Sequence, residues 1–249
     1  MKRFTMLLVF LILSVFMFSQ ETVRLTNGEW PPYMGENIRE NGLMSHIVKE
    51  ALAIEGYKVE YSFFPWKRSY ELAKTGEWDG TVGWKKNAER EKDFYFSDPI
   101  LSVKEVFFHR EDLNFDWTDY EELKKYKIGI SIGYSYGYDF DSMKDKLNVE
   151  ETTEDLANLR KLQGKRIDLF PCALEVGYFL IKQNFKGNEA KNLINHPKSI
   201  NTAEYNLILT KDNPGNREII IIFDRGLKKL KSSKKFDKLV ADAIKGKYQ

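Results

Sequence analysis

Arg90 lies in "WKKNAEREKDFYFSDPI", a charged loop that ends in an aromatic run and Ser97-Asp98-Pro99. A guanidinium offers two parallel donors to a carboxylate and does not titrate near neutrality, so one arginine at a strand end can hold an organic acid. The same arginine could instead be an exposed loop charge paired with Glu89 or Glu91, which contributes little. A second candidate is Gly133-Tyr134-Ser135-Tyr136-Gly137, a G-x-S-x-G match that follows a strand and reads as a nucleophile elbow, with Asp168 and His196 later in hydrolase order. No Gly-rich oxyanion loop precedes it, and "NHPKS" is a poor setting for a catalytic histidine. His46, His109 and His196 show no metal-ligand spacing, and there is no P-loop or dinucleotide fingerprint, so neither a metal nor a cofactor is expected.

The elements that must position these residues alternate along the chain. "ETVRLTN", "YKVEYSFF" and "WDGTVGW" read as strands, separated by the helical periods "LMSHIVKEALAIEG" and "PWKRSYELAKTG". This order calls for parallel pairing with right-handed crossovers. After a long strand, "ILSVKEVFFHR", the pattern repeats. "DYEELKKY" reads as a short helix, "KIGISIG" and "NVEE" as strands, and "TTEDLANLRKLQGK" as a helix with a capping threonine and acid. "RIDLFPC", the helix "ALEVGYFLIKQN" and the strand "AEYNLILTK" follow, then two C-terminal helices. The βα pattern thus occurs twice, around residues 21–108 and 125–205, and the economical architecture is two α/β lobes with a cleft between them. Ligands in open α/β sheets bind beyond the carboxyl ends of strands; here those ends carry Asn27 to Tyr33, Phe64 to Arg68, Gly83 to Arg90, Gly133 to Gly137 and Pro171 to Glu175.

Lys2 and Arg3 precede an apolar run of thirteen residues from Met6 to Phe18, then Ser19-Gln20-Glu21. A bilayer span needs about 20 residues, so residues 1–20 read as a secretory signal peptide. Taking Lys2 and Arg3 from 39 basic residues leaves 37, equal to the 37 acidic ones; that balance gives no electrostatic case for nucleic acid or anionic membrane. The lysines from Lys228 to Lys238 read as a solvated helix face. With Cys172 the single cysteine, no intrachain disulfide and no lipid anchor after the apolar run is expected. The expected product is a freely soluble periplasmic monomer.

Five stretches carry a resemblance to a known family: "EWPPYMGENIRENGLMSHIVKEAL", "GEWDGTVGWKKNAEREKDFYFSDPI", "YKIGISIGYSYG", "GKRIDLF" and "LKKLKSSKKFDKLVADAIKGKY". In this order they resemble the extracellular solute-binding proteins of family 3, which deliver polar amino acids to ABC importers. The resemblance implies a two-lobed type II periplasmic-binding-protein fold, each lobe a mixed, mostly parallel sheet flanked by helices. It implies that residues 21–108 and 206–249 form lobe 1 and 109–205 lobe 2, closing by a hinge near Val106–Arg110 and Thr202–Asn206. It implies that Arg90 binds the ligand α-carboxylate, that Ser135 shares it, and that Trp30 and Tyr33 line the pocket. Trp84 lies on the segment leading to Arg90, and Trp66 and Arg68 enter only through their place at a strand end. Trp78 and Trp117 read as structural. The family's amine-binding aspartate falls at Ala173, so the ammonium anchor is missing; Glu175 or Glu29 is the nearest substitute. The implied function is binding without catalysis, with delivery to an ABC permease. The alternative is an enzyme of the same fold resembling the periplasmic cyclohexadienyl dehydratases, with Glu175 as acid.

Overall fold

The computed structural model describes residues 21–248; the expected signal peptide, residues 1–20, lies outside them. The first unit is built from β1 (Thr22–Asn27), α1 (Leu43–Ile54), β2 (Lys58–Phe63), α2 (Trp66–Lys74), β3 (Gly80–Trp84), the short α3 (Arg90–Asp93) and β4 (Phe94–Phe96). β1 pairs in parallel with both β2 and β3, as crossover connections through α1 and α2 require. The helical period of α1 places Leu43, Met44, Ile47, Val48, Ala51 and Leu52 in the core.

β5 (Leu101–Arg110) then leaves this unit. The second unit follows: β6 (Lys127–Ser131), α4 (Tyr138–Met143), β7 (Asn148–Thr152), α5 (Asp155–Gln163), β8 (Phe170–Ala173), α6 (Leu174–Asn184) and α7 (Gly187–Lys191). β6 and β7 pair in parallel. The segment expected as a short helix at "DYEELKKY" is a 3-10 turn over Glu121–Lys125. The cap expected for α5 differs as well: Glu154 occupies the N-cap position without a side-chain cap, while Thr152 donates to the Glu154 carbonyl.

The chain returns through β9 (Leu193–Thr210), which is 18 residues long. Its residues up to Tyr205 pair antiparallel with β5, and from Asn206 onward it pairs with β3 and β4. The strand order β2-β1-β3-β9-β5-β8 therefore runs from one unit into the other through β9 and β5. Parallel pairs lie inside each unit, and the antiparallel pairs come from the strands that pass between them.

Helices α8 (Asn216–Lys231) and α9 (Lys234–Ile244) return to the first unit. There Gly226 meets α1 so closely that a Cβ would lie 2.1 Å from the Ala51 carbonyl oxygen. The lysines from Lys228 to Lys238 are exposed, and Lys229, Lys235 and Lys238 pair with Glu55, Glu50 and Asp242. They form the solvated helix face that their spacing predicts.

Candidate functional site

The cleft is assembled from strand ends. After β1 the chain turns through Trp30-Pro31-Pro32-Tyr33, with Met34 N–H returning to the Trp30 carbonyl at 3.0 Å. This turn buries both aromatic rings against each other, centroids 4.9 Å apart, and Trp30 also meets Tyr205 of β9 at 4.8 Å. Trp66 opens α2 with its ring over Gly28, where a Cβ would come within 2.4 Å of the indole, so only glycine admits that packing.

Trp84, at the end of β3, packs edge-on against Trp66 at 5.6 Å and at a tilt against Tyr70 at 5.1 Å. The Arg90 guanidinium lies 4.9 Å from the Trp84 ring centroid. Its Nη1 donates to the Lys85 carbonyl at 2.8 Å, and its backbone N–H is fixed by the Asn87 side chain at 2.9 Å. Arg90 is half-buried and makes no ion pair among the described residues; Glu91 pairs with Lys86 instead. Burial is the main cause that lowers the Arg90 pKa from its ordinary value. The side chain is a partly desolvated cation stacked on indole, and an anion would complete it.

The facing loops come from the second unit. Tyr33 Oη donates to Glu175 Oε2 at 2.7 Å, joining the first turn of the chain to the start of α6. Lys85 extends the other way: its ammonium meets Glu105 Oε1 at 2.7 Å and the Ser135 carbonyl at 2.6 Å. It also lies 5.5 Å from the Tyr205 ring centroid. The carboxylate of Glu105, on β5, is buried, and its Oε2 has no hydrogen-bond partner. Burial pushes its pKa upward, and Lys85 pulls it back.

Trp30, Tyr33 and Glu175 are joined by ring contact and hydrogen bond; Ser135 enters only through its carbonyl on Lys85, and Trp84 and Arg90 adjoin through the Lys85 segment. Arg68 is exposed, its guanidinium over Phe64 at 5.0 Å. Glu29 is exposed and accepts the Glu36 N–H. Ser135 Oγ donates to Asp141 at 2.5 Å, while His196 faces Asp116 and packs against Phe115, so the elbow match lacks a histidine at its serine. Trp117 is in the second unit's core and Trp78 packs edge-on against Phe64. His46 is half-buried, with Nδ1 2.8 Å from Tyr248 Oη. Among the described residues no group of three or more His, Cys, Asp or Glu side chains could hold a metal.

Lys85, Glu105 and Tyr205 are the site residues that the motifs do not reveal. One signal was available for Glu105. In "LSVKEVFFHR" it shares the inward phase of Val103 and Phe107, and a carboxylate at a core phase needs a partner or a task.

The sequence pattern that defines the bacterial extracellular solute-binding proteins, family 3, matches residues 23–245. The chain belongs to that family. A histidine kinase sensor domain with similarity to periplasmic binding proteins superimposes with a TM-score of 0.73 at 19% identity, covering 90% of this chain and 97% of its own. An amino acid ABC transporter substrate-binding protein from Streptococcus pneumoniae, bound to L-arginine, gives 0.71 at 20% identity, with 93% and 98% covered. An ancestral amino acid-binding protein, a precursor of cyclohexadienyl dehydratase, gives 0.69 at 19% identity, with 92% and 95% covered. These likenesses establish the periplasmic-binding-protein fold. No curated protein matches the chain. Among the described residues no helix is long and apolar enough to cross a membrane.

Proposed function

We propose that the protein is an exported solute receptor, working as a monomer in the periplasm. It captures a small carboxylate-bearing polar solute, an amino acid or a relative, between two lobes and presents it to an ABC permease. Lobe 1 comprises residues 21–108 and 206–249, and lobe 2 residues 109–205. Arg90 is the observation that carries the reading. It is half-buried, backed by Trp84, tethered through one nitrogen to the Lys85 carbonyl and without an ion pair among the described residues. A bidentate carboxylate is the natural partner for such a group. Trp30 and Tyr33 supply an aromatic wall, and Ser135 sits on the opposite lip. The fold closes by bending β5 and β9, a hinge motion of the kind for which periplasmic binding proteins are a standard example.

Mass spectrometry of molecules that co-purify with the protein, followed by a thermal-shift screen of amino acids and related acids, tests this. At least one small carboxylate should raise the Tm and its amide should not; a screen in which uncharged solutes alone stabilise the protein would end the reading. The Tyr33–Glu175 contact supports one alternative, a lyase of the same fold in which Glu175, exposed in this structure, acts as an acid between the lobes. Incubation with prephenate or arogenate, followed for an aromatic product, separates the two.

A further inference from the structure

Ala173 cannot hold an ammonium, yet the sheet places a carboxylate directly beside it. In the β5–β8 pairing Ala173 is the register partner of Glu105. Glu105 Oε1, the Ser135 carbonyl and the face of Tyr205 surround a single point, and the Lys85 ammonium sits there, 2.7 and 2.6 Å from the two oxygens and 5.5 Å from the ring centroid. A carboxylate, a carbonyl and an aromatic face are what a primary ammonium needs: two acceptors and a π surface for its three donors.

We propose that this is the ammonium site of the cleft, that Lys85 fills it permanently, and that the ligand is therefore a carboxylate without a free amine, such as a 2-hydroxy or 2-oxo acid. The inference rests on the carboxylate-receptor reading and narrows its ligand class. Lys85 carries its charge into the cleft from the same segment that holds Arg90, and the Arg90 guanidinium is tied to the Lys85 carbonyl. A ligand ammonium would have to share one buried carboxylate with a resident ammonium, and like charges in a desolvated interface oppose binding. Of the other acids beside Tyr33 and Ser135, Glu175 accepts from Tyr33 and Asp141 from Ser135; both keep acceptor capacity, but Glu175 is exposed, and solvent screens what it offers a ligand ammonium. Tyr205 Oη also donates to Glu105 Oε1 at 3.4 Å, so the oxygen that faces Lys85 is already shared between a resident ammonium and a phenol.

The test titrates the full mature chain calorimetrically with matched sets: amino acids and the 2-hydroxy and 2-oxo acids bearing the same side chains. The parent should bind an amine-free member at least about tenfold more tightly than its amino acid. Lys85→Met, checked for folding by circular dichroism, should reverse the preference by leaving the site open to a ligand amine. Adding Glu105→Gln to it should abolish that gain. If amino acids bind the parent as tightly as their amine-free counterparts, or if folded Lys85→Met gains no amino acid affinity, the assignment of Lys85 is wrong while the receptor reading stands. If no carboxylate of either set binds the parent, both fall. The parent comparison decides by itself should Lys85→Met fail to fold.

Discussion

Tyr33 and Glu175 lie 142 positions apart in the chain and share a 2.7 Å hydrogen bond. One belongs to the turn after β1 and the other to the first turn of α6, so the bond exists only while the two halves of the molecule face each other closely. Together with Lys85 reaching the Ser135 carbonyl, it ties the first unit to the second.

Tyr33→Phe should weaken this tie. A hydrogen bond to a charged group contributes about 1.5–3 kcal/mol, but Glu175 is exposed, so a cost near 1 kcal/mol, or about fivefold in ligand affinity, is expected. Solution scattering should show a larger radius of gyration for ligand-free Tyr33→Phe than for the parent. Identical scattering and affinity would mean that the bond does not hold the cleft.

Fluorescence should report the site through Trp30 and Trp84, chiefly Trp84. Trp84 lies against both Trp66 and the Arg90 guanidinium, so anion binding at Arg90 changes its surroundings. Trp84→Phe should remove much of the ligand-induced signal while leaving the fold intact. Trp117, buried in the second unit beneath Lys198 at 4.0 Å, should contribute little. A full signal in Trp84→Phe would place the reporter elsewhere.

Asp155 gives a pH test. Burial raises its pKa to about 6, above the value near 3.9 of an unfolded aspartate. The folded state therefore holds a proton that the unfolded state has released between those values. Stability falls as pH rises from about 4 to about 6, and the penalty persists above that window. Asp155→Asn can still accept from Ser131, so it should raise the Tm at pH 7 by a few degrees and leave it nearly unchanged at pH 4. An equal shift at both values would assign the effect to packing.

Processing is tested at the other end of the chain. Exported protein should begin within a few residues of Glu21, just ahead of β1 at Thr22. N-terminal sequencing that returned Met1 would remove the export argument.

Much of the fold was legible because local chemistry and tertiary structure agree. The 3.6-residue period of α1, the glycine after it and the strand alternation around β1–β3 are local signals that burial reinforces. β9 was read only over its second half, because "NHPKS" looks like a turn. Pro197 is accommodated where the register with β5 shifts: Val106 pairs with Ser199 but Phe108 with Asn195. Such irregularities are where a strand tolerates proline. Arg90, Trp30 and Tyr33 could be singled out because they share short motifs. The contact of Lys85 with Glu105 and Ser135 joins residues 20 and 50 positions away, and no local pattern predicts which lysine of a charged loop turns inward.

Arg90→Ala is the most direct test of the proposed carboxylate site. The variant should lose about 2–5 kcal/mol of binding, roughly 30- to 5,000-fold, toward the acid that gives the largest thermal shift. Arg90→Lys should also bind poorly, and Ser135→Ala should cost at most about 0.5–1.5 kcal/mol, because its one O–H already goes to Asp141. Without structural partners Arg90 would contribute little to stability, but the Lys85 carbonyl and the Trp84 ring are such partners. Their loss should cost about 1 kcal/mol, or 2–4 °C in Tm. Calorimetric titration of folded Arg90→Ala that returned the parent's affinity would contradict the account at its centre; a loss of the size given, in a protein that still melts cooperatively, is the result it predicts.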